Sequence, residues 1–475
     1  MKSYKYLAKN IGLLTIGSFG TKLLSFFLVP LYTNILTTSE YGVYDLFNTT
    51  IGLLIPFLTL NINESILRFS INADSDKKQI FSIGLRYFLT GFILLAIATG
   101  INSMLGLILV WKDYGLVFLL LYAFDAMAGI MTSFARGLDK IADISISGVL
   151  CSGVIISSNI LFLIVFRWGI KGYLVANLIG TIVQSVYLFI RTSAWTYIDL
   201  RSIDRDFSKE MTSYSKPLIA NSVAWWINNA SDRYIVTWLC GVAENGIYSV
   251  GYKIPSILNL FQTIFNQAWI LSAVKEFDPK DKDGFFSKLY NTYNCLMTLL
   301  CSGIILLDRP LARLLFAKDF YEAWRYVPFL TIAIVFGAMS GYIGGIFSAV
   351  KNSKVFACST VIGAVTNFLL NITLVRAIGP LGAAVATAVS YMVVWCVRLI
   401  NMRKYVKLRL RLVRDVLAYA ILNMQSALVS GKAGTSIYLY ELTFVLIMIF
   451  LFRSEVKDVA KKYQEKFFKD KRKDL

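Results

Sequence analysis

Three basic residues stand inside long apolar stretches of the chain: Lys22, Arg233 and Lys253. A charge at the centre of a lipid bilayer costs roughly 2.5 to 3.5 kcal/mol, so such residues usually line a polar cavity or pair with an opposite charge. If the chain spans a membrane, three cations at that depth indicate a site for an anionic molecule within the bilayer.

Two of the apolar stretches also carry polar residues at the spacing of one helix face. The face in 215–240 consists of Asn221, Trp225, Asn228 and Asp232, and the face in 246–272 consists of Ser256, Asn259, Thr263 and Asn266. Amides and hydroxyls suit the hydroxyl groups of sugars, and indole rings can stack on pyranose rings. Both faces are therefore candidates for a glycan-binding cavity. Hydrogen bonds between helices use the same residue types, and that alternative stays open.

Four carboxylates lie at membrane depth and are candidates for ion coupling: Asp45, Glu64, Asp125 and Asp232. Asp125 is also a candidate partner for Lys22, because a buried ion pair would explain a lysine in the middle of an apolar segment. Lys22 is therefore either a substrate contact or half of an ion pair.

The composition places the elements that carry these residues in a membrane. Hydrophobic residues make up 56% of the 475 residues, charged residues make up 16%, and the mean hydropathy is +0.61. Soluble domains have about 25% charged residues. Apolar stretches of about 20 residues, long enough to cross a bilayer, recur along the chain. We predict an all-α integral membrane protein with fourteen transmembrane helices, at 11–33, 42–67, 81–109, 114–135, 144–166, 172–190, 215–240, 246–272, 285–307, 327–350, 355–377, 381–401, 415–431 and 435–452.

The net charge of +19 is distributed as membrane topology requires. With the N-terminus inside, 36 of the 48 Lys and Arg residues fall in inner segments and 9 in outer loops. This asymmetry predicts that both termini are cytoplasmic and favours contact with membrane lipids over nucleic acid. The predicted outer loop 308–325 breaks the pattern, because it carries four basic residues. It is either an amphipathic surface segment or a sign of a miscounted span.

The chain lacks the residues that several kinds of catalytic or metal site require. The chain has no His, its six Cys residues lack metal-ligand spacing, and we find no phosphate-binding glycine loop. We therefore expect no catalytic residues, no metal and no cofactor, and we expect any energy for transport to come from an ion gradient, the membrane potential or removal of the product.

Short matching segments indicate an internal duplication. Ser39–Tyr44 and Ala243–Tyr248 share Glu, Gly and Tyr at an offset of 204, and a second match lies at an offset of 210. An offset of six helices predicts a parallel repeat of two bundles around a central cavity. We therefore divide the chain into six-helix bundles at 1–200 and 201–410, followed by two extra helices and a basic cytoplasmic tail at 411–475. Pro56 and Pro255 are candidate bend points in helices 2 and 8.

The segments Asp232-Arg233-Tyr234 and Gly246-Ile247-Tyr248, with Tyr252-Lys253 after them, carry a family resemblance. Together with the segment around Glu40-Tyr41-Gly42, they resemble the Wzx-type polysaccharide or O-antigen flippases, the polysaccharide transporter family of the multidrug/oligosaccharidyl-lipid/polysaccharide exporter superfamily.

The resemblance implies two bundles that form a V-shaped, alternately opening cavity in a bacterial inner membrane. It implies export of an oligosaccharide linked to undecaprenyl diphosphate, such as an O-antigen, capsule or exopolysaccharide repeat unit. Arg233 and Lys253 would contact the diphosphate or acidic sugars, and Lys22 is a second contact assigned by depth alone. Other polysaccharide assembly proteins are further candidate partners. The alternatives are a lipid II flippase, a cation-coupled drug exporter of the same superfamily, and a membrane glycan polymerase or ligase.

Overall fold

The computed structural model describes residues 26–72, 74–106, 109–350, 352–431, 437–458 and 461. In these ranges the chain forms helices joined by turns, without strands. It divides into two compact units, Met1–Gly246 and Ile247–Leu475. The predicted all-α class is therefore confirmed.

The described residues of the first unit form eight α-helices, with a π-helical turn at Ile160–Val165 and a short 3-10 helix at Ala194–Tyr197. They are α1 (Val29–Ile35), α2 (Thr38–Leu58), α3 (Ile62–Ser70), α4 (Lys77–Leu105), α5 (Leu109–Gly137), α6 (Ile141–Asn159), α7 (Gly169–Thr192) and α8 (Arg205–Cys240). Helix α9 (Val242–Gly251) contains the boundary between the units.

The residues of the second unit that the structure describes form eight more α-helices and a 3-10 helix at Lys318–Arg325. They are α10 (Pro255–Lys275), α11 (Phe285–Leu306), α12 (Asp308–Leu315), α13 (Val327–Ala349), α14 (Ser353–Ile378), α15 (Pro380–Met402), α16 (Leu412–Gly431) and α17 (Ile437–Leu451). Helix α13 is the most enclosed of these, since most of its residues are buried.

Ten helices in the described residues are long and apolar enough to cross a membrane, or eleven if the bent pair α2 and α3 is one span. The chain is therefore a multi-pass membrane protein, while the count of fourteen, the repeat arrangement and the division at residues 200 and 410 stay predictions. Most of predicted helix 1 lies outside the described residues.

Helix α8 is longer than the span predicted at 215–240. It begins at Arg205, because the Asp204 carboxylate accepts hydrogen bonds from the backbone N–H groups of Asp206 and Phe207 and so caps the helix. Its 36 residues correspond to about 54 Å at 1.5 Å per residue, which exceeds the hydrocarbon thickness of about 30 Å. Part of α8 therefore extends beyond the bilayer.

Both predicted bend points lie next to breaks in the helices. Helices α2 and α3 meet at an angle of 62°, three residues beyond Pro56, where the N–H of Asn61 bonds to the Pro56 carbonyl at 2.9 Å. Helix α9 ends at Gly251, and α10 begins at Pro255, because proline has no N–H to continue a helix but suits its first turn.

The segment 308–325 forms α12 and the following 3-10 helix, both amphipathic. Their apolar side chains, such as Leu315, Phe320 and Trp324, are buried, while Arg313, Lys318 and Arg325 are exposed. Of the two interpretations given for this basic loop, the structure supports the amphipathic surface segment.

Candidate functional site

An ion pair joins α2 and α8 within the first unit. The Arg233 Nε lies 3.1 Å from the Asp45 Oδ2, and the two side chains are 18% and 14% exposed. The Arg233 guanidinium also donates to the carbonyl of Asn229, one turn earlier on α8, at 3.4 Å. The sequence stretches around both charges are apolar, so each charge stabilises the other where little water is available.

Hydrogen bonds along the same two helices hold this pair in register. The Trp226 indole N–H donates to the Thr49 carbonyl at 2.9 Å, and the hydroxyls of Thr50 and Tyr234 bond to each other. Farther along, at the break before α3, the Asn61 amide donates to the Ser222 hydroxyl at 3.3 Å. These hydrogen bonds join α2 to α8 through residues outside the two predicted polar faces. For the faces themselves, cavity lining and interhelical bonding both stay predictions.

Asp45 has a second neighbour on α9. The amide of Asn245, which is fully buried, lies 3.5 Å from the Asp45 Oδ2 and 3.5 Å from the Gly42 carbonyl. An amide donor beside the carboxylate stabilises its charge without adding another charge. Asp45 therefore does not depend on Arg233 alone.

A close backbone crossing brings Asn245 to this position. A Cβ atom on Gly42 would lie 2.1 Å from the Val242 carbonyl oxygen, and one on Gly246 would lie 1.9 Å from the Thr38 carbonyl oxygen. Only glycine fits at either position. The contacts are reciprocal, since Thr38 and Gly42 are related to Val242 and Gly246 by the same offset of 204 residues.

Four tyrosines pack beside the ion pair. Tyr32 stacks on Tyr41 with ring centroids 4.9 Å apart, and Tyr44 meets Tyr173 of α7 edge-on at 4.6 Å. The Tyr44 hydroxyl lies 3.3 Å from the Asn177 amide oxygen. Three of the four rings are buried, so the cluster is a packed aromatic group that begins one helical turn before Asp45 on α2.

The predicted polar face of α8 is not uniform. Asn228 and Asp232 are buried, whereas the Trp225 side chain is 65% exposed. The Asn228 amide donates to the Ala224 carbonyl of its own helix at 3.0 Å. Trp225 is thus the member of this set that is available to stack on another ring.

The remaining predicted residues of the first unit are Asp125, Glu64 and Lys22. Asp125 of α5 is half-buried, and Glu64 of α3 is exposed. Lys22 lies outside the described residues, so its role and its pairing with Asp125 stay predictions.

Lys253 belongs to the second unit and lies in the turn between α9 and α10. It is half-buried, and its carbonyl accepts a hydrogen bond from the Ser256 hydroxyl at 2.6 Å. Asn259 on α10 is exposed, while Asn266 packs against Gly341 of α13. The polar face of α10 is therefore partly accessible and partly used in packing.

Sequence reasoning missed one buried cation, Arg398, which it counted with the inner basic segment. Arg398 is 5% exposed and donates to Ser340 (2.9 Å), Ser359 (2.9 Å) and Thr360 (3.0 Å), with its guanidinium 4.1 Å from the centre of the Phe356 ring. Arg398 lies near the end of an apolar helix, where sequence alone cannot distinguish a buried arginine from one at the membrane interface. The hydroxyls of Ser359 and Thr360 were the available signal.

The Asp45–Arg233 pair was also missed, although both residues were singled out separately. They are 188 residues apart in sequence, so no local spacing connects them. In this pair the Arg233 guanidinium lies next to the Asp45 carboxylate, which also accepts a hydrogen bond from the Asn245 amide. Because Asp45 has this second donor, the guanidinium could bind another anion and later return to Asp45. Within the described ranges, we find no group of three or more His, Cys, Asp or Glu residues that could hold a metal ion.

Comparison with known proteins shows which family the chain belongs to. The model of the polysaccharide biosynthesis protein family matches residues 7–270, more than half of the chain. A "probable low-salt glycan biosynthesis flippase" of Haloferax volcanii is 25% identical over 191 residues, which are 39% of this chain and 40% of that relative. The chain thus matches less than half the length of that protein.

Solved structures show the same fold. The lipid II flippase MurJ in an inward closed conformation has a TM-score of 0.72 at 15% identity, covering 95% of this chain and 99% of that one. An inward-facing multidrug resistance MATE family transporter of the MOP superfamily has a TM-score of 0.61 at 14% identity, covering 87% and 96%. At these identities the likeness is one of fold, and it agrees with the resemblance inferred from sequence. The chain belongs to the polysaccharide biosynthesis protein family and has the fold of the MOP superfamily.

Proposed function

We propose that this protein is a flippase that moves an oligosaccharide linked to undecaprenyl diphosphate from the cytoplasmic to the outer face of a bacterial inner membrane. On this proposal both termini are cytoplasmic, the cavity opens to each side in turn, and no cofactor takes part. The cargo is an O-antigen, capsule or exopolysaccharide repeat unit.

The observation that carries the proposal is the partly exposed Asp45–Arg233 ion pair within the family-matched segment. A diphosphate, like a carboxylate, offers a guanidinium two charged oxygen acceptors for a bidentate contact. The lipid diphosphate can therefore replace Asp45 as the anionic partner of Arg233, while Asn245 continues to stabilise Asp45. Exchanging one anion for another keeps Arg233 compensated at every step.

Other residues have supporting roles on this proposal. The exposed indole of Trp225 and the exposed amide of Asn259 contact the sugars. Lys253 and Lys22 add positive charge for the diphosphate, and Asn228 positions its segment of α8 through its bond to Ala224. Asp125, Asp232 and Glu64 remain candidates for ion coupling, as does Asp45.

A lipid II flippase is the second candidate, favoured by the fold likeness to MurJ. Lipid II presents the same diphosphate, so Arg233 would serve either cargo and only the glycan would differ. A cation-coupled drug exporter is less well supported, because a guanidinium repels cationic drugs. A glycan polymerase or ligase would need catalytic residues. We propose no residue for that role, so this alternative ranks last.

The test reconstitutes the purified chain in liposomes with fluorescent cargo on the inner leaflet and measures exposure to an impermeant reductant added outside. Undecaprenyl-diphosphate oligosaccharide, lipid II and a fluorescent cationic drug are compared. We expect the oligosaccharide to move fastest. We expect Arg233→Gln to slow it by at least about tenfold, since a hydrogen bond to a charged group is worth about 1.5 to 3 kcal/mol.

The matched control is Arg191→Gln, which breaks a second Arg–Asp pair in the same unit. Arg191 lies 2.8 Å from Asp143 and is 57% exposed, so its loss should leave transport unchanged. Faster movement of lipid II would favour the second candidate. Equal transport by Arg233→Gln and Arg191→Gln would refute the role of Arg233.

A further inference from the structure

Two carboxyl groups in the second unit are buried without hydrogen-bond donors. Asp308, the first residue of α12, is 0% exposed, and Glu441 in the second turn of α17 is 1% exposed. Among the described residues, no group donates a hydrogen bond to any of their four carboxyl oxygens. An ionised carboxylate in such surroundings is unfavourable, and the protonated acid is the form that burial favours.

The charges around these groups do not balance when both are ionised. Arg309, the residue after Asp308, donates to the Val429 carbonyl at 2.7 Å, and its guanidinium lies 4.4 Å from the centre of the Trp324 ring. Burial raises the pKa of the Asp308 carboxyl well above its ordinary value; the charge of Arg309 opposes this rise, and that of Glu441 adds to it. One cation thus faces two acids, and a single proton would neutralise the group.

The other helices around the pair contribute neutral groups. Ser302 of α11 and Gln425 of α16 bond to each other at 2.9 and 3.1 Å, and the Gln425 amide lies beside Glu441. In the neighbouring 3-10 helix, Glu322 and Arg325 pair with each other at 2.9 Å and are about half exposed. Within the part of the chain that the structure describes, the charged groups facing Asp308 and Glu441 are therefore each other and Arg309.

We propose that Asp308 and Glu441 form a proton-binding site in which the two carboxyl groups share one proton. On loading, hydronium transfers its proton to a carboxylate oxygen and leaves as water; release reverses this step. Two carboxyl groups with one adjacent cation provide too few oxygen ligands for a divalent metal ion. The site does not depend on the proposed transport reaction.

The position of the site indicates what the proton does. Helices α16 and α17 lie outside the predicted repeats, and both pack against α11. The proton removes the electrostatic repulsion between the carboxylates of Asp308 on α12 and Glu441 on α17. Loss of the proton restores that repulsion, so this part of the second unit becomes less stable as the pH rises. On the predicted topology the site lies at the outer end of these helices, where it would respond to the external pH.

The sign of the pH dependence follows from linkage. The Asp308 pKa is higher in the folded chain than in the unfolded chain, so its contribution to stability is present at low pH and is lost as the pH rises through the folded value. Replacing Asp308 with Asn removes this loss. The variant should therefore gain thermal stability relative to the wild type at high pH, with little or no gain at low pH.

Infrared spectroscopy of the full chain in lipid vesicles tests the site directly, because the C=O stretch of a protonated carboxyl is separate from the amide bands. We expect the wild type to show a free-acid band at pH 7. In Asp308→Asn and in Glu441→Gln this band should either be lost or titrate at a different pH. In the wild type this component should fall by about tenfold per pH unit above the apparent pKa of the pair. Sharing further predicts that Glu441 in Asp308→Asn titrates at a lower pH than the wild-type pair, because the like charge is gone.

Asp319→Asn, which changes an exposed acid in the same segment, is the control and should leave the band and its titration unchanged. An identical Glu441 titration with and without Asp308 would overturn the sharing of one proton. If neither variant folds, the wild type alone decides. Absence of a free-acid band at pH 7, or a thermal stability that rises between pH 6 and pH 9, would then overturn the site.

Discussion

A double-mutant cycle on Asp45 and Arg233 measures how strongly the ion pair ties α2 to α8. At the observed separation of 3.1 Å, two unit charges attract by about 5 kcal/mol at an effective dielectric constant of about 20. Desolvation cancels much of this attraction, but removal of one partner leaves the other charge uncompensated, which costs about 3 to 5 kcal/mol in a fully buried pair. Because both side chains keep some exposure, we expect about 2 to 4 kcal/mol for each of Asp45→Asn and Arg233→Gln.

The double variant distinguishes a true pair from two independent contacts. With both charges neutral no uncompensated charge remains, so Asp45→Asn/Arg233→Gln should be more stable than either single variant, with a coupling energy of at least about 2 kcal/mol. Equilibrium unfolding in mixed micelles of mild and denaturing detergent gives the four free energies.

The cycle on Arg191 and Asp143 is the reference. Its separation of 2.8 Å is shorter, but Arg191 is 57% exposed, and solvent screening should hold the coupling below about 1 kcal/mol. If the two cycles gave equal couplings, or if the double variant lost the sum of the single losses, the pair would not be the interaction that joins the helices.

Other substitutions test the packing that positions the site, each by the same unfolding measurement. Gly246→Ala should destabilise the chain by more than about 3 kcal/mol because its methyl group meets a backbone carbonyl, whereas Gly52→Ala, with nothing within 4 Å, should change stability by less than about 1 kcal/mol. Asp281→Ala removes the acceptor for two backbone N–H groups at the start of α11 and should lose about 2 kcal/mol, while exposed Asp283→Ala should stay within about 0.5 kcal/mol. Arg398→Lys should lose about 2 to 4 kcal/mol because an ammonium cannot reach three acceptors in one plane. An unchanged stability of Arg398→Lys would contradict the inference that the three hydrogen bonds of the guanidinium stabilise this region.

Much of the helical framework could be predicted because apolar length is a local property of sequence. The predicted span 172–190 lies within Gly169–Thr192, and the predicted span 381–401 lies within Pro380–Met402. The breaks near Pro56 and before Pro255 were likewise visible, since proline acts on its own turn.

The partners of the charged residues could not be predicted in the same way. Arg233 was expected to meet an anion, but the finding that Asp45 is its partner depends on how α2 packs against α8. Arg398 was counted with an inner basic segment because its acceptors on α13 and α14 become visible only in three dimensions. Gln425 is a similar case: it is a polar residue within the predicted span 415–431, and its bond to Ser302 inside the unit becomes visible only in the structure.

The reciprocal glycine crossing of α2 and α9 has the form of an isologous interface, in which one residue meets a second and that second meets the first. Each glycine meets the backbone carbonyl of the other helix, so the crossing has two separate steric requirements. Gly42 and Gly246 must therefore both remain glycine, because neither can compensate for a side chain at the other.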